Sequence, residues 1–411
     1  MAGSSPKIFY GWYIVAVAFI CNFMTAGTHF YVFNSFMEPL AQHRGWAREQ
    51  INYGLSLGGV IGLMAQYVHG TLVMRFGPRI YMGIGAVLSG FTFAAIGLAQ
   101  SINAFYLLYI SLFVFNGAFC GIVANTAVNN WFVKKRGTAL GISQVGISLS
   151  GALLPVAGMM LYRSLGLEKA FMVLGGALLL LSPLCLAVIR DRPEKYGLRP
   201  DGPLPLAENG SPAGPDAEEE PLWTVRQAAR TGAFWKVGLV YALAMMGVVG
   251  VMSQLVPRFT DVGFSRDAAL WLMGTTALLG AAAKYLWGFL CDRFEPRRVV
   301  GFMLLMCAAG LVAGVFTRGF FTAAIFVALY GFSMGGVLAT LPVMTAHLFG
   351  RLSFTSISRF MALFLILQNL GFVAMGFSFS KTGSYDWAYA FFALAYLGAA
   401  SLAFSVKPPT R

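Results

Sequence analysis

Lys284 stands in a stretch that carries no other charge, Asp267-AALWLMGTTALLGAAAK-YLWGFLC-Asp292. At ~1.5 Å per residue it lies roughly 12 Å from the Asp292 end, near the middle of a ~30 Å hydrocarbon layer. A charge at that depth is costly and faces a cavity or a partner, so its default reading is functional. None of the 16 acidic residues falls inside a membrane-spanning stretch, so no structural partner can be named. The simplest completion is a carboxylate brought by a ligand. The ammonium supplies three donors, and its attraction for an anion grows in low dielectric. Snorkelling to the interface fails on length, with a stem of ~6 Å against the ~12 Å needed.

Other residues could share that chemistry. Gln368 follows Arg359 by nine residues, hence ~13 Å of helix rise, which places it at nearly the depth of Lys284. One cation with one amide suits a ligand with one carboxylate and a hydroxyl or keto oxygen, whereas a dicarboxylate would meet two cations. Gln368 and Asn369 could equally be hydrogen-bonding glue between helices. His29, in the outer half of the first span and followed by Tyr31 and Asn34, could take a proton from outside, because imidazole titrates near neutrality. Asn125, Asn129, Gln144, Gln254 and Tyr330 are further polar residues expected to line a cavity.

These residues need a membrane scaffold to position them. The chain has 411 residues, 58% hydrophobic and 11% charged, which reads as a polytopic membrane protein. Twelve apolar stretches are long enough to span as helices: 13–36, 52–73, 80–99, 105–130, 138–162, 170–189, 233–256, 268–290, 299–316, 320–346, 360–380 and 386–406. Spacings such as Gly54-xxx-Gly58-xxx-Gly62 and Gly117-xxx-Gly121 suit close helix packing in lipid. The net charge of +13 does not point to nucleic acid, because of where it lies. With the N-terminus inside, only Arg44, Arg48, Arg163, Lys169, Arg258, Arg266, Arg318 and Lys381 fall outside. That bias predicts both termini in the cytoplasm and a multi-pass protein of the cell membrane, the inner membrane if bacterial. The N-terminal MAGSSPKIFYGW lacks a cleavable-signal pattern, so the first span is expected to be retained.

Several chemistries are set aside. The five cysteines lie in or at the ends of spans without CxxC spacing, and His29, His43, His69 and His347 are scattered, so no metal site or cofactor is expected. Gly331-FSM-Gly335 matches a nucleophile-elbow string but lies within an apolar helix with no strand before it. No G-x-x-x-x-G-K-(S/T) occurs, which argues against ATP-driven pumping by this chain. The expectation is therefore not an enzyme.

Residues 190–232, holding seven of the 17 prolines and the acidic run Asp216 to Glu220, predict a flexible cytoplasmic connection with a short amphipathic piece at 222–231. It separates an N-terminal bundle, 1–189, from a C-terminal bundle, 233–411. The two halves repeat. Gly70-TLVM-Arg75-Phe76-Gly77-Pro78-Arg79 aligns without a gap with Gly288-FLCD-Arg293-Phe294-Glu295-Pro296-Arg297 at an offset of 218. The expectation is an all-α membrane protein of two pseudo-symmetric six-helix bundles with a site near the midplane.

That loop pattern, G-x-L-x-(D)-R-x-G-x-R, resembles the signature loop of the major facilitator superfamily. Tyr10-Gly11-Trp12, the Tyr31 to Glu49 stretch and Trp131-Phe132-Val133-Lys134-Lys135-Arg136-Gly137, with the eighth-span cation, are similar to monocarboxylate transporters and the oxalate/formate antiporter group. The resemblance implies a secondary active transporter of small monocarboxylates, lactate- or pyruvate-like, working by alternating access as a monomer. It implies substrate contacts at Lys284, Gln368, Asn369, Tyr330, Asn125, Tyr31 and Asn34, and a cytoplasmic gate at Arg75, Arg79, Asp292 and Arg293. Proton symport follows if Lys284 or His29 releases its proton when the site is empty. Organic anion exchange and efflux of lipophilic compounds are the rival activities. The chain departs from the pattern at Met74, where the family loop carries Asp. It also has Gly280 one turn before the cation, Lys284 for Arg, and Gln368 where the antiporter has a second cation.

Overall fold

The computed structural model describes residues 8–201 and 222–409. Among them there is no β-strand. Among the described residues twelve long helices overlap the twelve apolar stretches, with ends that differ by up to eight residues. They are α1 Gly11–Arg44, α2 Arg48–Phe76, α3 Pro78–Leu98, α4 Ile102–Asn129, α5 Arg136–Leu165 and α6 Leu167–Val188 in the first half. The second half has α7 Gly232–Ser253, α8 Arg266–Arg293, α9 Pro296–Val315, α10 Phe320–Phe349, α11 Phe354–Thr382 and α12 Asp386–Phe404. Between α2 and α3 only Gly77 intervenes, at φ +77, with Pro78 opening the next helix. A positive φ there suits glycine, and proline is tolerated in a first turn. Exposed Phe91, Leu107, Leu278 and Leu394 suit a lipid-facing surface.

The chain divides into two compact units, residues 1–222 with Phe354–Arg359, and residues 223–353 with 360–411. Within the first, α3 packs on α6, α1 on α5, and α2 and α3 on α4. Within the second the same pairs recur six helices on: α9 on α12, α7 on α11, and α8 and α9 on α10. Glycines make these crossings possible. A Cβ on Gly58 would come within 2.6 Å of the Phe113 ring, and one on Gly175 within 2.7 Å of the Gly90 carbonyl. The spaced glycines therefore serve helix packing, as their spacing suggests.

Each unit also anchors the end of its first span with a buried arginine side chain. In the first, Arg44 at the end of α1 donates to the Gly97 carbonyl at 2.7 Å, to Gln100 at 3.0 Å and to Glu168 at 2.9 Å. In the second, Arg258, in the short helix Leu255–Asp261 after α7, donates to the Gly314 carbonyl at 3.2 Å and meets Asp386 at 2.6 Å. The Arg44 and Arg258 side chains are 7% and 9% exposed. From sequence they counted only as exterior charges.

The described parts of the connection are ordered. Asp201, at φ +62, accepts from the backbone N–H groups of Val133, Lys134 and Lys135 at 2.9, 2.7 and 3.2 Å and so caps the start of α5. The helical piece expected at 222–231 is the single-turn helix Val225–Ala229, capped by Thr224 and Gln227. The run Asp216 to Glu220 lies outside the described residues. The segment Phe354–Arg359 belongs to the first unit, where Arg359 donates to the Thr71 hydroxyl at 2.6 Å.

Candidate functional site

Lys284 is buried, 6% exposed, on the stripe Thr276, Gly280, Lys284, Trp287 that α8 presents to α10. Residues four and three apart share a helix face, so this stripe follows from the sequence spacing. Contact is close because both helices are bare at the crossing. A Cβ on Gly335 would overlap the Gly280 carbonyl, and one on Gly331 would lie 3.0 Å from the Thr276 carbonyl. One turn on, the Trp287 indole N–H donates to the Phe332 carbonyl at 3.1 Å. Just before that point α10 widens into a π-helical turn, Val327–Gly331. Such turns sit often at functional sites, and irregular backbone at membrane depth is tolerated where it is buried in protein or lines a cavity.

Gln368 and Asn369 fall in a tightened turn of α11, Leu365–Asn369, which packs on α7, whereas Lys284 sits at the α8–α10 crossing. The Asn369 amide donates to the Ile366 carbonyl of its own helix at 2.9 Å. Tyr330, expected to line a cavity, lies in the core of the second unit. It is fully enclosed, its hydroxyl donating to the Gly247 carbonyl at 3.2 Å and lying 3.4 Å from that of Tyr396. A buried phenol needs such a partner, and α7 supplies it.

In the first unit α1 also carries a π-helical turn, Gly27–Val32, and α4 is broken at residues 118–120 with Gly121 at φ +52. Between these irregular points lies a cavity of about 280 Å³, with Asn22, Thr25, His29, Tyr31, Cys120 and Ile147 on its wall. His29 and Tyr31 are thus brought to one cavity. His29 Nδ1 lies 2.5 Å from the Thr25 carbonyl, one turn back. Asn34 is exposed. Asn125 accepts from Gln144 at 3.1 Å, a bond from α5 to α4.

Arg79 Nε donates to the Leu186 carbonyl at 2.8 Å, Arg75 lies over the Phe76 ring, and Arg293 lies over Phe289. Asp292, beside it in α8, is half-buried. The acid that serves the first loop is Asp191, which accepts from the Arg79 backbone N–H at 3.3 Å. In the second loop Glu295 bonds Arg297, which holds its carboxyl below the ordinary value.

Sequence reasoning also passed over Gln66 and His69, and the signal for them was present. The offset of 218 that aligns the loops places Gln66 opposite Lys284 and His69 opposite Trp287. Gln66 Oε1 accepts from the Ile122 N–H at 3.3 Å, across the break in α4. His69 Nδ1 lies 2.7 Å from the Tyr81 hydroxyl.

Two six-helix units with repeated packing, broken spans and a buried mid-helix cation define a polytopic membrane transporter rather than an enzyme. The chain belongs to the Major Facilitator Superfamily, whose family model matches residues 15–265 and 239–411. It is 26% identical to the oxalate:formate antiporter of Oxalobacter formigenes over 82% of this chain and 78% of the relative. It is also 26% identical to mouse monocarboxylate transporter 11, over 92% of this chain and 83% of that one. Among solved structures it superposes on the human organic anion transporter MFSD10 with TM-score 0.71, covering 97% of this chain and all of the other, at 15% identity. The Escherichia coli fucose:proton symporter gives TM-score 0.69 over 95% and 98% of the two chains, also at 15% identity. At that identity the likeness concerns the fold.

Proposed function

We propose that the chain carries small monocarboxylates of the lactate and pyruvate type by alternating access, in symport with protons. The observation that carries this reading is Lys284, a buried cation two-thirds of the way along α8 on the face packed against α10. An ammonium has three donors, so contacts within the protein leave it able to take a carboxylate oxygen as well. A lysine lacks the planar fork of arginine and grips an anion as a point charge, which favours a loose choice among small acids. Gln368, at matching depth by helix rise, would meet a hydroxyl or keto oxygen.

Uptake of labelled lactate into proteoliposomes, with and without an inward proton gradient, tests the reading. Acceleration by the gradient supports symport. Uptake indifferent to the gradient but stimulated by internal carboxylate would replace symport with anion exchange, the activity named for the Oxalobacter relative.

A further inference from the structure

Among the described residues, the wall of the first unit's cavity holds no Lys, Arg, Asp or Glu. A carboxylate would enter it unpaired, so the cavity suits an uncharged group. Its volume, about 280 Å³, exceeds what the methyl group of lactate needs, since an apolar cavity of about 150 Å³ already holds benzene. Loose packing does not account for the space. To either side of Ile147, α5 presses on α1. A Cβ on Gly146 would overlap the Phe19 carbonyl, and one on Gly151 would come within 2.8 Å of the Tyr31 ring. The π-helical turn of α1 and the break in α4 border the space near those close crossings. Interiors rarely keep voids larger than a water molecule, so a space framed by two backbone irregularities points to an occupant.

The composition of the wall selects that occupant. Phe30 and Tyr31 meet edge to face with centroids 5.2 Å apart, and Ala26 and Ile147 add to an apolar, partly aromatic surface. A planar ring packs favourably against such a surface. Most polar groups of the wall are already engaged. The Asn22 amide donates to the Ser143 carbonyl at 2.9 Å, and the Thr25 hydroxyl is in hydrogen-bonding contact with the Cys120 thiol. His29 Nδ1 faces the Thr25 carbonyl, which can only accept, so in the neutral ring Nδ1 carries the hydrogen and Nε2 is left as the acceptor. A ligand that meets Nε2 needs a donor, which a hydroxyl supplies and a keto oxygen lacks.

We propose that this cavity binds an aryl group accompanied by a hydroxyl and carried by the transported acid, so that aryl-substituted 2-hydroxy acids are better ligands than lactate. The source of the ring rests on the monocarboxylate reading. The ring lies against Phe30, Tyr31 and Ile147, and the hydroxyl donates to His29 Nε2. The carboxylate stays outside the uncharged wall.

The test uses the full chain in lipid nanodiscs with 4-fluorobenzyl alcohol as a neutral probe, read by ¹⁹F NMR. Partition into lipid does not saturate, whereas binding at a site does. The unaltered protein should bind the probe saturably. Ile147→Trp, which fills the cavity from α5, should weaken binding at least about tenfold, while Ile147→Val should keep it. His29→Phe should weaken the alcohol about fivefold and leave 4-fluorotoluene within about twofold. Absence of saturable binding, or binding that Ile147→Trp leaves unchanged, overturns the proposal. Should Ile147→Trp fail to fold, Ala26→Leu narrows the cavity from α1 and is read in the same way. 3-Phenyllactate should displace the probe at a concentration at least about tenfold below that of lactate, and equal concentrations also overturn the proposal. Probe binding that follows these variants in a chain that transports neither acid would remove the monocarboxylate reading and leave the aryl site standing.

Discussion

Arg44 and Arg258 hold matching places in the two units: each sits at or just beyond the end of its unit's first span, side chain buried, and reaches an acid that opens the sixth span and a glycine carbonyl that ends the third. Breaking a buried pair costs about 3–5 kcal/mol, and about half of that is expected here because the acids are some 40% exposed. Arg44→Ala and Arg258→Ala should each lower the thermal midpoint of the purified protein. Glu168→Gln should cost less, because Arg44 keeps the Gly97 carbonyl. Equal losses for Arg44→Ala and Glu168→Gln would show that the carbonyl contact contributes nothing.

The α8–α10 crossing tolerates no added atom at Gly335, where a Cβ would overlap the Gly280 carbonyl, while Gly274 on the same helix α8 has open space around it. Gly335→Ala should displace the helix that carries Lys284, lowering stability by about 1–3 kcal/mol and weakening carboxylate binding. Gly274→Ala should be neutral or stabilising by up to about 1 kcal/mol. Comparing lactate affinities of the two variants checks this.

Tyr330→Phe separates a core role from a cavity role. Losing a hydroxyl that bonds the Gly247 carbonyl should cost about 1 kcal/mol of stability and leave lactate affinity within about twofold. A larger fall in affinity with stability unchanged would return Tyr330 to the site.

Much of this architecture was legible in the sequence because it depends on local patterns. The twelve spans follow from apolar run length, the Lys284 face from residues three and four apart, and the two units from a loop that repeats without a gap. What escaped depends on long-range pairing. Arg44 read as an exterior charge because Glu168 stands 124 residues away. The enclosure of Tyr330 was not legible because the carbonyl that its hydroxyl bonds belongs to α7. His69 is one of four scattered histidines, and only the repeat offset of 218 pairs it with Trp287. The turns at Gly27–Val32 and Val327–Gly331 left no clear mark, since both are composed like ordinary span residues.

Asp201 offers a check on the ordered part of the connection. It accepts three backbone N–H groups at the start of α5, and replacing a helix cap costs about 1 kcal/mol. Asp201→Ala should speed limited proteolysis after Asp191, and an unchanged cleavage rate would show that the cap does not hold this segment.

Thermal unfolding of Lys284→Ala with and without lactate tests most directly whether the Lys284 ammonium binds the substrate carboxylate. Stabilisation by lactate should vanish in Lys284→Ala and persist in Lys284→Arg. Stabilisation of Lys284→Ala equal to that of the unaltered protein would contradict the assignment.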